Sequence, residues 1–332
     1  MEKRGRQGNL GQSDFRPSPR RALVLLAWSF GIGWGLALLA RIVLGPALPG
    51  DQGVVGSTHT DAQRIAYSVI GLLFLVLPAI VAVVLAHRWR VRLEHYGVPG
   101  RAPGAALWLA PLMALGLTVL AVMLPIVGRV SSFDRSGMGQ VQRLGEGGRF
   151  VEALELKLDL EDQQAPLLHA TAKGFVLGVT LGLLVAMGTE LAWRGLLHVE
   201  LRPMGRAWTA LIGGLAGAAW WAPLLPMAVA AGDTAWPEAV LRLGAYAVLG
   251  IVLSWARAAT GSVLVPAALV ATWMALGEVP PMALRGGSLM QIELARLAAV
   301  VVVALGVLMV HVRGSTGRVS ASRPEAEIAE EE

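Results

Sequence analysis

Eight apolar runs dominate the chain, and each must find a way to cover its backbone as well as its side chains. A helix of about 20 apolar residues crosses a bilayer core of about 30 Å. The runs are 22–40, which holds no charge, then 65–86, 102–128, 174–197, 207–232, 243–256, 261–277 and 297–312. The sixth and seventh are short, and the fourth contains Glu190 and Arg194. Lipid offers no partner to an open strand edge, so these runs predict an all-α integral membrane protein with about eight transmembrane helices. Composition agrees, with 55% hydrophobic and only 15% charged residues where soluble domains carry about 25% charged. The chain has no cysteine, which excludes disulfides, thiolate catalysis and Cys-ligated metals.

The net charge is +5. In a soluble protein such a balance would suggest nucleic acid, but here the bases lie between apolar runs and read as topology signals. With the N terminus inside, the inner segments hold 16 Lys and Arg against 11 outside. Six of those 11 lie in the loop 129–173, which also carries seven acids. Both termini are therefore expected in the cytoplasm, with Trp89, Trp108, Trp208 and Trp236 as interfacial anchors. Run 22–40 is longer than a signal-peptide core of about 7–15 residues and has no convincing cleavage site, so it reads as an uncleaved first helix.

This divides the chain into a basic segment 1–21, three helices in 22–128, an outer loop 129–173, a membrane core with a final helix in 174–312, and an acidic tail 313–332. In the loop, Leu154, Leu156, Leu158 and Leu160 alternate with charges, as a strand would. Phe150, Leu154 and Leu158 instead suit an amphipathic helix on the outer membrane surface, and that reading is preferred because a lone strand lacks a partner. Gly178/Gly182 and Gly213/Gly217, at spacing four, predict tight packing of the fourth and fifth helices. The run Gly31-Ile-Gly-Trp-Gly35 follows no strand and is not a nucleotide loop.

Glu190 and Arg194 are the charges that need an explanation, since an ionisable group inside a span marks a functional or tightly paired position. Four residues apart, with the acid first, they favour a pair on one helix face. None of the six histidines falls in mid-span. His198 lies about 12 Å along the helix from Glu190, too far to share a metal, and reads as interfacial. No metal site and no cofactor are expected.

Three stretches resemble motifs of the CPBP family, the CAAX prenyl protease 2-like and bacteriocin-processing intramembrane proteases. Thr189-Glu-Leu-Ala-Trp-Arg194-Gly195 resembles E-E-x-x-x-R-G. Ala219-Trp-Trp221-Ala-Pro is similar to the W-H-x-P segment, and Thr260-Gly-Ser-Val-Leu-Val-Pro266 to the T-G-S…P lead-in of H-x-x-x-N. The resemblance covers roughly 174–277 and implies a CPBP-like core, with Glu190 and Arg194 as retained first-motif residues. It also implies that the family's base falls on Thr189, its two histidines on Trp221 and Ala271, and its asparagine on Ala275. A threonine hydroxyl is no general base near neutral pH, an indole only donates, and alanine offers nothing polar. No shift of register supplies a histidine, because 207–232 and 257–285 contain none.

These readings together predict a multi-pass plasma-membrane protein that contacts the lipid bilayer and binds a membrane protein or a lipidated or leader peptide without cutting it, with no nucleic-acid role. An active intramembrane endopeptidase using Glu190 with Thr189 is the alternative. A small transporter is a second, weakened by the lack of a hydropathy repeat and of paired broken helices.

Overall fold

Each apolar run closes its backbone hydrogen bonds within itself, as hydrocarbon surroundings demand. The computed structural model describes residues 16–44, 61–98, 104–146, 150–161, 163, 165–230 and 234–321. Among these, eight helices are long and apolar enough to span a membrane. The spanning helices are α1 (Pro19–Leu44), α2 (Asp61–Arg88) and α3 (Gly104–Val127). The loop that follows holds β1 (Ser132–Phe133), α4 (Gly139–Glu146) and α5 (Phe150–Glu161). Next come α6 (Pro166–Glu200), α7 (Arg206–Trp221), α8 (Trp236–Thr260) and α9 (Leu264–Ala275). The short α10 (Val279–Ala283), β2 (Leu284–Arg285) and α11 (Leu289–Ala321) complete the chain.

The helical reading of the loop agrees with α5, where Leu154 and Leu158 are exposed and Leu160 is buried. The loop also contributes a strand the sequence did not announce. Ser132 and Phe133 pair antiparallel with Arg285 and Leu284, joining the loop to the segment between α10 and α11. Several boundaries move. α6 starts at Pro166, not near 174, because proline at its first turn opens a helical stretch whose polar residues hide it from a hydropathy count. α11 runs to Ala321, past the expected end at 312. Most of segment 1–21 and the last residues of the tail lie outside the described residues.

Packing falls into two large apolar clusters and a small one of Val122, Ala283, Leu284 and Ile292. One large cluster joins α3, α8, α9 and α11 around Leu117, Leu249, Val252 and Leu269. The other joins α1, α2, α6 and α7 around Leu25, Phe74, Trp193 and Trp220. α6 takes part in both, Ala186 in the first and Leu191 onward in the second, so Glu190 sits at the seam. Of the expected glycine contacts, Gly217 of α7 meets Arg194 of α6, and the others find different partners. Gly178 lies against Thr272 of α9, and Gly213 and Gly214 lie against Ser254 and Ala247 of α8, so α6 and α7 each pack on a third helix.

At the end of the bundle where α1 begins, Leu93–Tyr96 forms a 3-10 turn that plugs the helix ends. Tyr96 is fully buried and its hydroxyl donates to Oε1 of Glu200 at 2.9 Å. The Ser18 N–H donates to Oε2 of the same carboxylate at 2.6 Å, and the Arg21 guanidinium lies 3.8 Å away. Glu200 thereby ties the start of α1 and the turn to the end of α6. Burial first, and the Glu200 charge second, hold the Tyr96 hydroxyl neutral well above its ordinary pKa. Tyr96→Phe is expected to lower stability by about 1.5–3 kcal/mol, the range for a hydrogen bond to a charged group. That stability is present below the ordinary tyrosine value of 10.0 and fades as pH rises beyond it, since only the neutral phenol donates. Melts of both proteins between neutral and strongly alkaline pH check this, because the gap between them should close at high pH.

Candidate functional site

In α6 the turn carrying Arg194 is widened, with a π-helical stretch over Leu191–Leu197. Such bulges concentrate at functional positions. Arg194 Nη1 donates to Glu190 Oε1 at 2.9 Å, and both side chains are only 3% exposed. The expected pair is formed, and it lies within one helix. Its neighbours are glycines. A Cβ on Gly217 of α7 would come within 3.2 Å of Arg194 Nη1, and one on Gly250 of α8 within 2.7 Å of Nη2. The guanidinium thus occupies a slot that two helices leave open only by lacking side chains there. Gly195, the last residue of the first motif, allows the Tyr96 carbonyl to pass close to α6.

The pair borders a cavity of about 30 Å³, room for a water or two. α6 contributes Thr189, Glu190, Trp193 and Arg194, and α7 contributes Gly217 and Trp221. Tyr246, Leu249 and Leu253 of α8 and Val270 and Met274 of α9 close it. Oε2 of Glu190 and Nε of Arg194 are buried without a hydrogen-bond partner among the described residues. An unpaired acceptor and donor beside a small cavity are the conditions under which a protein holds a buried water.

Of the sequence-predicted positions, Thr189, Glu190, Arg194 and Trp221 meet at this cavity. The Thr189 hydroxyl is turned back on its own helix, donating to the Ala186 carbonyl at 3.1 Å. Trp221 stacks on Tyr246, ring centres 6.0 Å apart. Ala271 and Ala275 are not among the lining residues. They lie toward α6, Ala271 against Gly182 and the Ala275 carbonyl against Gly174, while Val270 and Met274 face the cavity. One residue of helical register separates the two pairs, and both are apolar. Tyr246 and the slot glycine Gly250 escaped the sequence reading. The spacing Gly213/Gly217 pointed to the α7 side of the slot without revealing that an arginine fills it.

The T-G-S segment acts as a helix junction. Gly261, at φ +69°, ends α8 with its N–H on the Arg257 carbonyl, and the Ser262 hydroxyl accepts from the Leu264 N–H to start α9. His198 is buried, at 8% exposure, two residues from the end of its span. Among the described residues, no three His, Asp or Glu side chains gather as a metal site.

The stretch with this geometry also matches a family model. Residues 171–276 match the family described as type II CAAX prenyl endopeptidase Rce1-like. This stretch is similar to that family. No curated protein matches the chain. The Rce1-like region begins within α6 and ends at the close of α9, so it contains all the cavity-lining residues. The surrounding helices α1, α2 and α3 lie outside it and complete the two large clusters.

Proposed function

We propose that this multi-pass membrane protein uses its Rce1-like core to hold a membrane partner without cleaving it. One observation carries the reading. The only carboxylate at the cavity among the described residues is held by Arg194, and the other lining groups are aromatic, aliphatic, glycine or a hydroxyl engaged with its own helix. Peptide hydrolysis needs a base to activate water and donors for the developing oxyanion. Thr189, engaged with its own helix, and the apolar Val270 and Met274 supply neither, and Trp221 can donate but cannot take a proton. The fitting partner is a membrane protein or a lipidated or leader peptide, whose apolar part the bilayer already delivers to the bundle. We place the chain in the plasma membrane on the family resemblance, with both termini cytoplasmic on the distribution of Lys and Arg.

A second reading rests on the free Oε2 of Glu190, which borders room for a water and could activate it. Glu190→Gln separates the two, since glutamine retains a hydrogen-bond acceptor for Arg194 and cannot take a proton. Affinity capture from native membranes should recover full-length partners with wild type and variant alike, at near-stoichiometric yield. Truncated partners that become full-length in Glu190→Gln would establish proteolysis and end the binding reading.

A further inference from the structure

Beyond the cavity, at the end of the bundle carrying the Tyr96 turn, lies a buried positive charge with no counter-charge among the described residues. Arg257 of α8 is 2% exposed. Among the described residues its one hydrogen bond runs from Nε to the Arg194 carbonyl, 3.0 Å away. No carboxylate among the described residues pairs with it, and Arg202 lies near enough for its like charge to act on it. His198 is buried beside the same group, its Nδ1 without a partner, under the influence of Arg257, Arg202 and Arg194. The nearby acids are engaged elsewhere, Glu190 with Arg194 and Glu200 with Tyr96, Ser18 and Arg21. The turn also leaves the guanidinium space, for a Cβ on Gly97 would stand 2.6 Å from Arg257 Nη2.

An unpaired buried guanidinium costs several kcal/mol, and a chain that keeps one implies an anion to meet it. Two guanidiniums and an imidazole nitrogen match the several acceptor oxygens of a phosphate, which arginine binds in a bidentate manner. The position fits as well. Arg257 and His198 are within a turn of the ends of their spans, where headgroups lie, and Arg202 is exposed at the approach. We propose that Arg257, Arg202 and His198 form a binding site for a phosphate group, from a phospholipid headgroup or a soluble phosphate.

The test uses the full chain, purified in phospholipid-free detergent at constant ionic strength. Inorganic phosphate is titrated against chloride, and in parallel the chain is placed in nanodiscs of phosphatidylglycerol or phosphatidylcholine and examined by native mass spectrometry. The apparent Tm should rise with one of the phosphate sources, and Arg202→Gln should weaken that response about tenfold or more. Arg202 is exposed, so its variant folds even where Arg257→Gln does not. Arg206→Gln, an exposed arginine at the start of α7, should leave the response unchanged. A response to inorganic phosphate identifies a soluble ligand, and retained phosphatidylglycerol alone identifies the lipid. No response to either, or an equal loss in Arg206→Gln, overturns the site.

Discussion

Arg194→Leu should lower stability by about 3–5 kcal/mol, the usual consequence of removing one member of a buried ion pair. The loss comes from what remains. Glu190 is 2% exposed, and its Oε1 would lose the donor 2.9 Å away while Oε2 already has none. Leucine would also fill the slot between Gly217 and Gly250 with a group that cannot bond to anything there. Replacing both partners is a different case. Glu190→Met with Arg194→Leu removes the stranded charge, and apolar replacement of whole buried pairs is often close to neutral, so the double variant should regain most of the loss. The exposed pair Lys157–Glu161, 3.5 Å apart and half accessible on each side, supplies the contrast, because Lys157→Ala should cost well under about 1 kcal/mol. Thermal melts in one detergent compare the variants. If Arg194→Leu melts with the wild type, the pair is not what holds α6 at the seam.

The features legible in the sequence are those that need no knowledge of neighbours. Eight spans follow from apolar length alone, and the Glu190–Arg194 pair follows from spacing on a single helix. The resemblance across 174–277 and the match at 171–276 describe the same core. What stayed hidden depends on contacts between distant segments. α8 extends from Trp236 to Thr260, well beyond the expected 243–256. Arg242 and Arg257 mark where a count of apolar residues stops, yet Arg242 is bound to Glu293 of α11 at 2.8 Å and Arg257 to a carbonyl of α6. Glu200 is bound by Tyr96, from a turn more than a hundred positions earlier in the chain. The exchange of Ala271 and Ala275 for Val270 and Met274 at the cavity is a rotation of about 100° per residue, finer than motif alignment resolves. The neighbouring tryptophans diverge for the same reason. Trp221 borders the cavity, while Trp220 stacks on Phe74 at 4.4 Å and lies across Gly33 of α1.

Gly250→Ala should also be destabilising, although alanine is the better helix former by about 1 kcal/mol. A Cβ there would lie 2.3 Å from the Gly214 Cα and 2.7 Å from Arg194 Nη2. The first obstacle is backbone, which cannot turn aside, and the second is a guanidinium fixed by Glu190. α7 and α8 would have to separate, and overpacking of this kind costs about 1–3 kcal/mol and sometimes more. The sign therefore tests the geometry. On α1, Gly31 faces open surroundings with nothing within 4 Å of a Cβ, so Gly31→Ala should leave stability unchanged or raise it slightly. One substitution is thus expected to move in opposite directions on two helices of the same protein. Because the Gly250 slot also seats Arg194, Gly250→Ala should loosen the Glu190 pair and reduce partner recovery in affinity capture, whereas Gly31→Ala should recover the same yield. A Gly250→Ala protein that melts at or above the wild-type temperature would mean that α7 and α8 do not meet at these glycines, and the slot that holds Arg194 would lose its physical basis.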